Sequence, residues 1–96
     1  PTDEAFAKLP PGQLEALLRP ENKDQLVKIL TNHVVPGKAL EENDLKRTRS
    51  AKTVAGEDVK IELVRGRVRV DGARVSGDFN AGNGVVVAID SVLLPN

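Results

Sequence analysis

From Val59 onward, apolar and polar residues alternate. Val59, Ile61 and Leu63 share one face, with Lys60 and Glu62 opposite. Val68 and Val70 repeat the pattern against Arg67, Arg69 and Asp71. A period of two with one polar face specifies half-buried antiparallel strands, because successive strand side chains point to opposite faces. Arg65-Gly66 and Asp71-Gly72 are the turn signals between them. Asn83-Gly84 then opens a run from Val85 to Leu94 that is nearly continuous in apolar character and reads as a central strand.

The first half has a different period. Thr2 is a good helix N-cap, followed by Asp3 and Glu4 where the helix dipole favours acids. Phe6 and Leu9 share a face before Pro10-Pro11-Gly12 ends the turn. Gln13 to Leu18 forms a short second piece, closed by Pro20. The clearest helix spans 23–34. Asn22 is placed to cap it, with Gln25 three residues later as in a capping box. Leu26, Ile29, Leu30, His33 and Val34 make one continuous buried stripe, while Lys23, Asp24, Lys28 and Asn32 face mostly outward. Pro36-Gly37 stops the helix. Residues 38–53 read as a polar connector with one turn of helix near Glu41 to Leu45. Its basic residues Lys46, Arg47, Arg49 and Lys52 read as a solvated loop, since no aromatic residue is interleaved for base stacking. Helices first and strands second specify an α+β domain.

With 96 residues, the chain forms one small domain. Thirteen Val, eleven Leu and three Ile must supply most of its core. Fourteen basic residues balance fourteen acidic ones, so nothing in the charge calls for nucleic acid or an anionic membrane. The absence of Cys removes disulfides, thiolate nucleophiles and zinc–thiolate sites. The longest strictly apolar run, Val85 to Ile89, is too short to span a bilayer. No signal peptide is read at the start, and Pro1-Thr2-Asp3 suggests a trimmed chain.

Little here supports catalysis. His33 is the one imidazole, and its place on the apolar stripe reads as a hydrogen-bonded core histidine rather than a general base. Asp78 to Asn83 superficially suggests a calcium loop, but Gly82, Asn83 and Ile89 occupy the positions where ligands and turn are required. Gly77 to Gly82 has phosphate-loop spacing, but Asn83 replaces the required Lys. The adjacent acids Glu41-Glu42 and Glu57-Asp58 lie in polar surroundings that would not push their pKa values apart. Arg65-Gly66-Arg67 is not an integrin tripeptide, because Arg67 stands where Asp is needed. We read a non-enzyme without cofactor or metal.

Three segments, in order, resemble the fasciclin domain of extracellular adhesion proteins and secreted bacterial proteins. Pro1 to Phe6 is similar to the end of the family's first signature block. Leu30 to Gly37 is similar to its central Tyr-His block, and Asn83 to Pro95 to its second signature block. Gly56 to Val59 and Val68 to Ala73 also fit. The family's Tyr is Asn32 here, and the His usual in the last block is Val87. The family also begins well ahead of Thr2, with helices and a strand that this chain lacks. Their absence leaves an open sheet edge or an uncovered apolar face, to be met by a partner or by the rest of a longer chain.

The resemblance implies helices packed on an antiparallel β-wedge or sandwich, and a non-catalytic module for adhesion between cells or between cells and matrix. It implies a protein partner: a cell-surface receptor, a matrix protein or a second copy. It places the domain outside cells or at the cell surface, or in the periplasm or envelope of a bacterium. It assigns partner binding to Asn22, Lys23, Asp24 and Leu26, a segment with Gln25 in place of Ile, and to Asp78 and Phe79. As residues alone, these are also a helix start and a turn Asp with a core Phe. It assigns a structural polar network to Thr2, His33 and Asp90. The alternative function is a secreted carrier of a small molecule or lipid, using an apolar crevice between helices and strands. Two Phe and no Trp or Tyr give a large aromatic ligand few rings to stack on.

Overall fold

Two tight turns organise the sheet. In the computed structural model, which describes residues 1–94, Arg65 and Gly66 have φ of 53° and 79°, and Asp71 and Gly72 have 48° and 85°. Positive φ at both central residues is what type I′ hairpin turns require, and it matches the right-handed twist of the flanking strands. These turns join β2 (Asp58–Val64) to β3 (Arg67–Val70) and β3 to β4 (Ala73–Ala81). A two-residue loop, Gly82-Asn83, leads into β5 (Gly84–Ile89), and β1 (Ser50–Lys52) lies on the far side of β2. All pairs are antiparallel, in the order β1-β2-β3-β4-β5. The register slips by one residue between Val75 and Gly77, a bulge in the long strand β4.

Ahead of the sheet come α1 (Asp3–Ala7), α2 (Gln13–Leu17), a 3₁₀ turn at Pro20–Asn22, α3 (Lys23–Thr31) and α4 (Glu42–Leu45). Each is too short to be stable alone, so each depends on what it packs against. Thr2 caps α1 through its hydroxyl oxygen, which accepts from the Ala5 N–H at 3.2 Å, and its own N–H donates to the Ile89 carbonyl at 2.9 Å. Asp44 caps α4 by accepting from the Glu41 N–H at 3.0 Å. The core joins Leu45 of α4, Val59 and Ile61 of β2, Val68 and Val70 of β3, Ala73, Ile89 and Leu93. This is the α+β arrangement of a few short helices against an antiparallel sheet.

The structure corrects several expectations. The apolar run does not form a central strand: β5 ends at Ile89 and is an edge. It is apolar on both faces because Ile89 enters the core while Val86 stands in solvent. Strand β4 was hidden by Ser76, Gly77, Asp78 and Asn80, small and polar residues of low strand propensity. Helix α3 ends at Thr31, not at residue 34. Its stripe is not continuously buried: Leu26, Ile29 and His33 are half-buried, whereas Leu30 is 51% and Val34 50% exposed. Val34 lies beyond the last turn, and Leu30 on a side that no described element covers.

Asn22 forms no capping box with Gln25. The preceding 3₁₀ turn leaves it near-helical (φ −104°, ψ 14°), so its amide turns back and donates to the Ala16 carbonyl at 2.6 Å. Asn32 is not outward-facing either, because the chain turns there to meet Leu93.

Candidate functional site

A hydrogen-bonded polar cluster lies where the end of α3 meets the segment after β5. The Leu93 N–H donates to His33 Nε2 at 2.9 Å. A backbone N–H only donates, so Nε2 must be unprotonated and the proton must sit on Nδ1. That proton is donated to the Ile29 carbonyl at 2.7 Å. Burial pulls the imidazole pKa below its usual 6.5 and outweighs the opposite effect of the Ile29 bond. Both ring nitrogens are committed to backbone, so His33 could act as a base only by releasing Leu93. Next to it, Asn32 is 2% exposed. Its amide donates to the Leu93 carbonyl at 3.0 Å, and its side-chain oxygen accepts from the Thr53 hydroxyl at 3.3 Å. Adjacent residues thus hold both polar groups of Leu93 and link them to the loop before β2.

Among the described residues, neither of the other two members of the expected network hydrogen-bonds His33. Thr2 hydrogen-bonds β5 through its backbone N–H, at Ile89. Asp90 sits near the surface, where its carboxylate accepts from the Arg74 N–H at 2.7 Å and pairs with Lys8 at 3.4 Å. The bond from Arg74 holds its pKa below the usual carboxylate value. The three residues tie the chain's start, middle and end together through separate contacts rather than through one side-chain network.

The expected partner-binding residues form two patches. Lys23 and Asp24 are exposed on the first turn of α3, Asn22 is turned toward α2, and Leu26 is half-buried. The second patch is on the β4–β5 hairpin. Phe79 stands directly opposite Val86 in the ladder, and the two side chains are 63% and 60% exposed. Phe79 is therefore not a core residue. Beside it, the Asp78 carboxylate accepts from the Glu42 N–H at 2.9 Å and fixes the hairpin against α4. No hydrogen bond joins the two patches among the described residues. Nor do the described residues bring three His, Asp or Glu side chains together as a metal site.

The family model for the fasciclin domain matches residues 1–95. The chain belongs to the fasciclin family. Protein sll1483 of Synechocystis is 49% identical to this fasciclin domain over 99% of the chain, which covers 52% of that protein. The transforming growth factor-beta-induced protein ig-h3 of the rabbit is 38% identical over 99% of the chain, covering 14% of its own length. Immunogenic protein MPB70 of Mycobacterium bovis is 36% identical over 99% of the chain, covering 47% of its length. The domain thus spans about half or less of each of these three relatives.

In this fasciclin domain, the position the resemblance gives to Tyr carries Asn32, and a buried amide makes two directed hydrogen bonds there. Sequence reasoning missed Asn32 and Thr53 as partners. The available signal was the helix stop at Pro36-Gly37. A helix that closes a few residues before a Pro brings its last polar residues to the C-terminal turn, where they can bond backbone outside the helix.

Proposed function

We propose that this domain is a non-catalytic, extracellular protein-binding module serving adhesion. The observation that carries the reading is the Phe79–Val86 pair, an exposed aromatic and a β-branched residue side by side on a hairpin that Asp78 anchors to α4. A large apolar pair held rigid at low entropic cost is the kind of anchor on which protein interfaces concentrate their binding energy. The exposed start of α3, with Lys23 and Asp24 beside Asn22 and Leu26, is the second contact. Membership of the fasciclin family supports the reading. The partner is a surface or matrix protein, or a second copy of the domain.

Surfaces coated with the domain, and with its Phe79→Ala and Asp24→Ala/Asp78→Ala variants, would be scored for adhering cells, with folding checked by circular dichroism. Strong adhesion to the parent and a severalfold loss on the folded variants is the expected result. A parent surface that retains no more cells than bare plastic would overturn the reading, as would folded variants that match the parent.

A further inference from the structure

The turn between β4 and β5 does not account for the Asn83-Gly84 dipeptide. Asn-Gly is favoured as the central pair of a type I′ hairpin loop, where both residues take positive φ. Here the loop is Gly82-Asn83, and Gly84 is already the first residue of β5, opposite Ala81. None of the three has a positive φ. A Cβ built on Gly84 would meet nothing within 4 Å. Neither backbone conformation nor space therefore calls for glycine at 84. What the missing side chain does is leave the Gly84 backbone nitrogen open to the side chain of Asn83. That side chain is free to reach it. Asn83 is exposed at the tip of the hairpin, and its amide makes no hydrogen bond among the described residues. The other described asparagines are held or crowded. Asn32 is 2% exposed and bonded at both ends of its amide, and Asn22 donates to the Ala16 carbonyl. Asn43 lies within α4, and Asn80 in the β4 ladder opposite Val85. All four precede a residue with a side chain, whereas Asn83 precedes glycine. The Ala81–Gly84 rung is the last of its ladder, so end fraying, which costs little free energy, releases the Gly84 nitrogen.

We propose that Asn83 is a site of spontaneous deamidation. The deprotonated Gly84 nitrogen attacks the side-chain carbonyl carbon of Asn83. A C–N bond forms, the amide nitrogen takes a proton from solvent and leaves as ammonia, and a cyclic imide closes between the two residues. Water then adds to either imide carbonyl and breaks one C–N bond. One route gives aspartate and the other isoaspartate. Nothing is oxidised or reduced, and water is the co-reactant. Both products put a carboxylate on the loop. Isoaspartate also adds a methylene to the backbone of a two-residue turn, two rungs from the Phe79–Val86 pair, and so loosens the hairpin from its tip. The reaction does not depend on the adhesion reading.

The test incubates the chain, its folding checked by circular dichroism, beside a linear peptide of residues 78–88, at neutral pH and in mild alkali. Both are then digested in acid and mapped by mass spectrometry. Asn83 of the folded chain should convert to aspartate and isoaspartate, with isoaspartate in excess, at a rate within about tenfold of the peptide's, as end fraying implies. Conversion should be faster in alkali, because the attacking nitrogen must lose its proton. Asn22, Asn32, Asn43 and Asn80 should stay intact over the same interval. Gly84→Ala, which the open space at 84 accommodates, should slow the conversion severalfold or more. The comparison of chain with peptide stands even where that variant fails to fold. An intact Asn83 in the folded chain once the peptide is largely converted would overturn the proposal. So would earlier conversion at Asn43 or Asn80, aspartate formed without isoaspartate, or a folded Gly84→Ala variant that converts as fast as the parent.

Discussion

His33 holds the backbone N–H of Leu93 through Nε2 at 2.9 Å, across sixty positions of sequence. The contact fixes the tautomer and makes the neutral ring part of the fold. Protonation would place an N–H against an N–H. The folded-state pKa lies below 6.5, so the sign is determined. Above pH 6.5 both folded and unfolded chains carry neutral His33, and its contribution is complete. Below 6.5 the unfolded chain takes up the proton first, and stability falls until the pH passes the folded pKa. Urea midpoints measured from pH 7.5 down to 5 should decrease for the parent and stay flatter for His33→Gln. His33→Ala should cost about 1–3 kcal/mol at pH 7.5, because the Leu93 N–H loses its acceptor. A parent midpoint independent of pH through this window would contradict the assignment.

Asn32 gives a sharper test, because its two ends do different work. Asn32→Ala leaves the Leu93 carbonyl without its donor and should cost about 1–3 kcal/mol. Asn32→Asp keeps an acceptor for Thr53 but cannot donate while ionised. That variant should be at least as unstable at pH 7 and should recover as acid protonates the buried carboxyl, the reverse of the parent's trend. The Thr53 hydroxyl has one proton and two acceptors, Asn32 Oδ1 at 3.3 Å and the Glu57 carbonyl at 3.0 Å. Thr53→Val should therefore cost less in an Asn32→Ala background than in the parent. Additive losses in that double-mutant cycle would show that the two side chains are not coupled.

The sequence disclosed those parts of the fold that rest on local pattern. Alternation at Val59-Ile61 and Val68-Val70, and the glycine turns after Arg65 and Asp71, placed the β2–β3 hairpin and the turn that follows it, because period and turn chemistry act over a few residues. Strand β4 escaped because its identity comes from pairing: Asp78 and Asn80 are poor strand residues held by Val87 and Val85 across the ladder. The edge position of β5 was illegible for the same reason, since an apolar run records burial and not neighbours. At the candidate site, His33 stood out as the sole imidazole. Asn32 did not, because its partners are backbone groups of Leu93 and a hydroxyl twenty-one residues away.

Arg65 has φ of 53°, a left-handed conformation that costs most side chains about a kcal/mol or more. Asn tolerates this region far better and is favoured at the first position of a type I′ turn. Arg65 is exposed and makes no ion pair among the described residues. Arg65→Asn should therefore stabilise the domain by about 0.5–1 kcal/mol, read as a higher urea midpoint with an unchanged slope. Arg65→Val, β-branched and forced to the same φ, should destabilise it. Equal midpoints for the two variants would mean that the turn relaxes to another geometry.

Arg69 and Arg74 are direct partners across β3 and β4, and like charges placed opposite one another oppose pairing. On its other side Arg69 faces Glu62 across β2, so one of its neighbours attracts it and the other repels it. The Asp90 carboxylate bonds the backbone N–H of Arg74, not its guanidinium, so that contact survives any side chain at position 74. Arg74→Thr removes the repulsion, leaves Glu62 opposite Arg69 in the ladder and adds a residue of higher strand propensity. It should raise stability by about 0.2–1 kcal/mol at low ionic strength. The electrostatic share of that gain should shrink as salt brings the screening length below the separation of the two side chains. A gain that persists undiminished in molar salt would assign the effect to propensity alone, and a loss at low salt would mean that Arg74 makes a favourable contact outweighing its repulsion from Arg69.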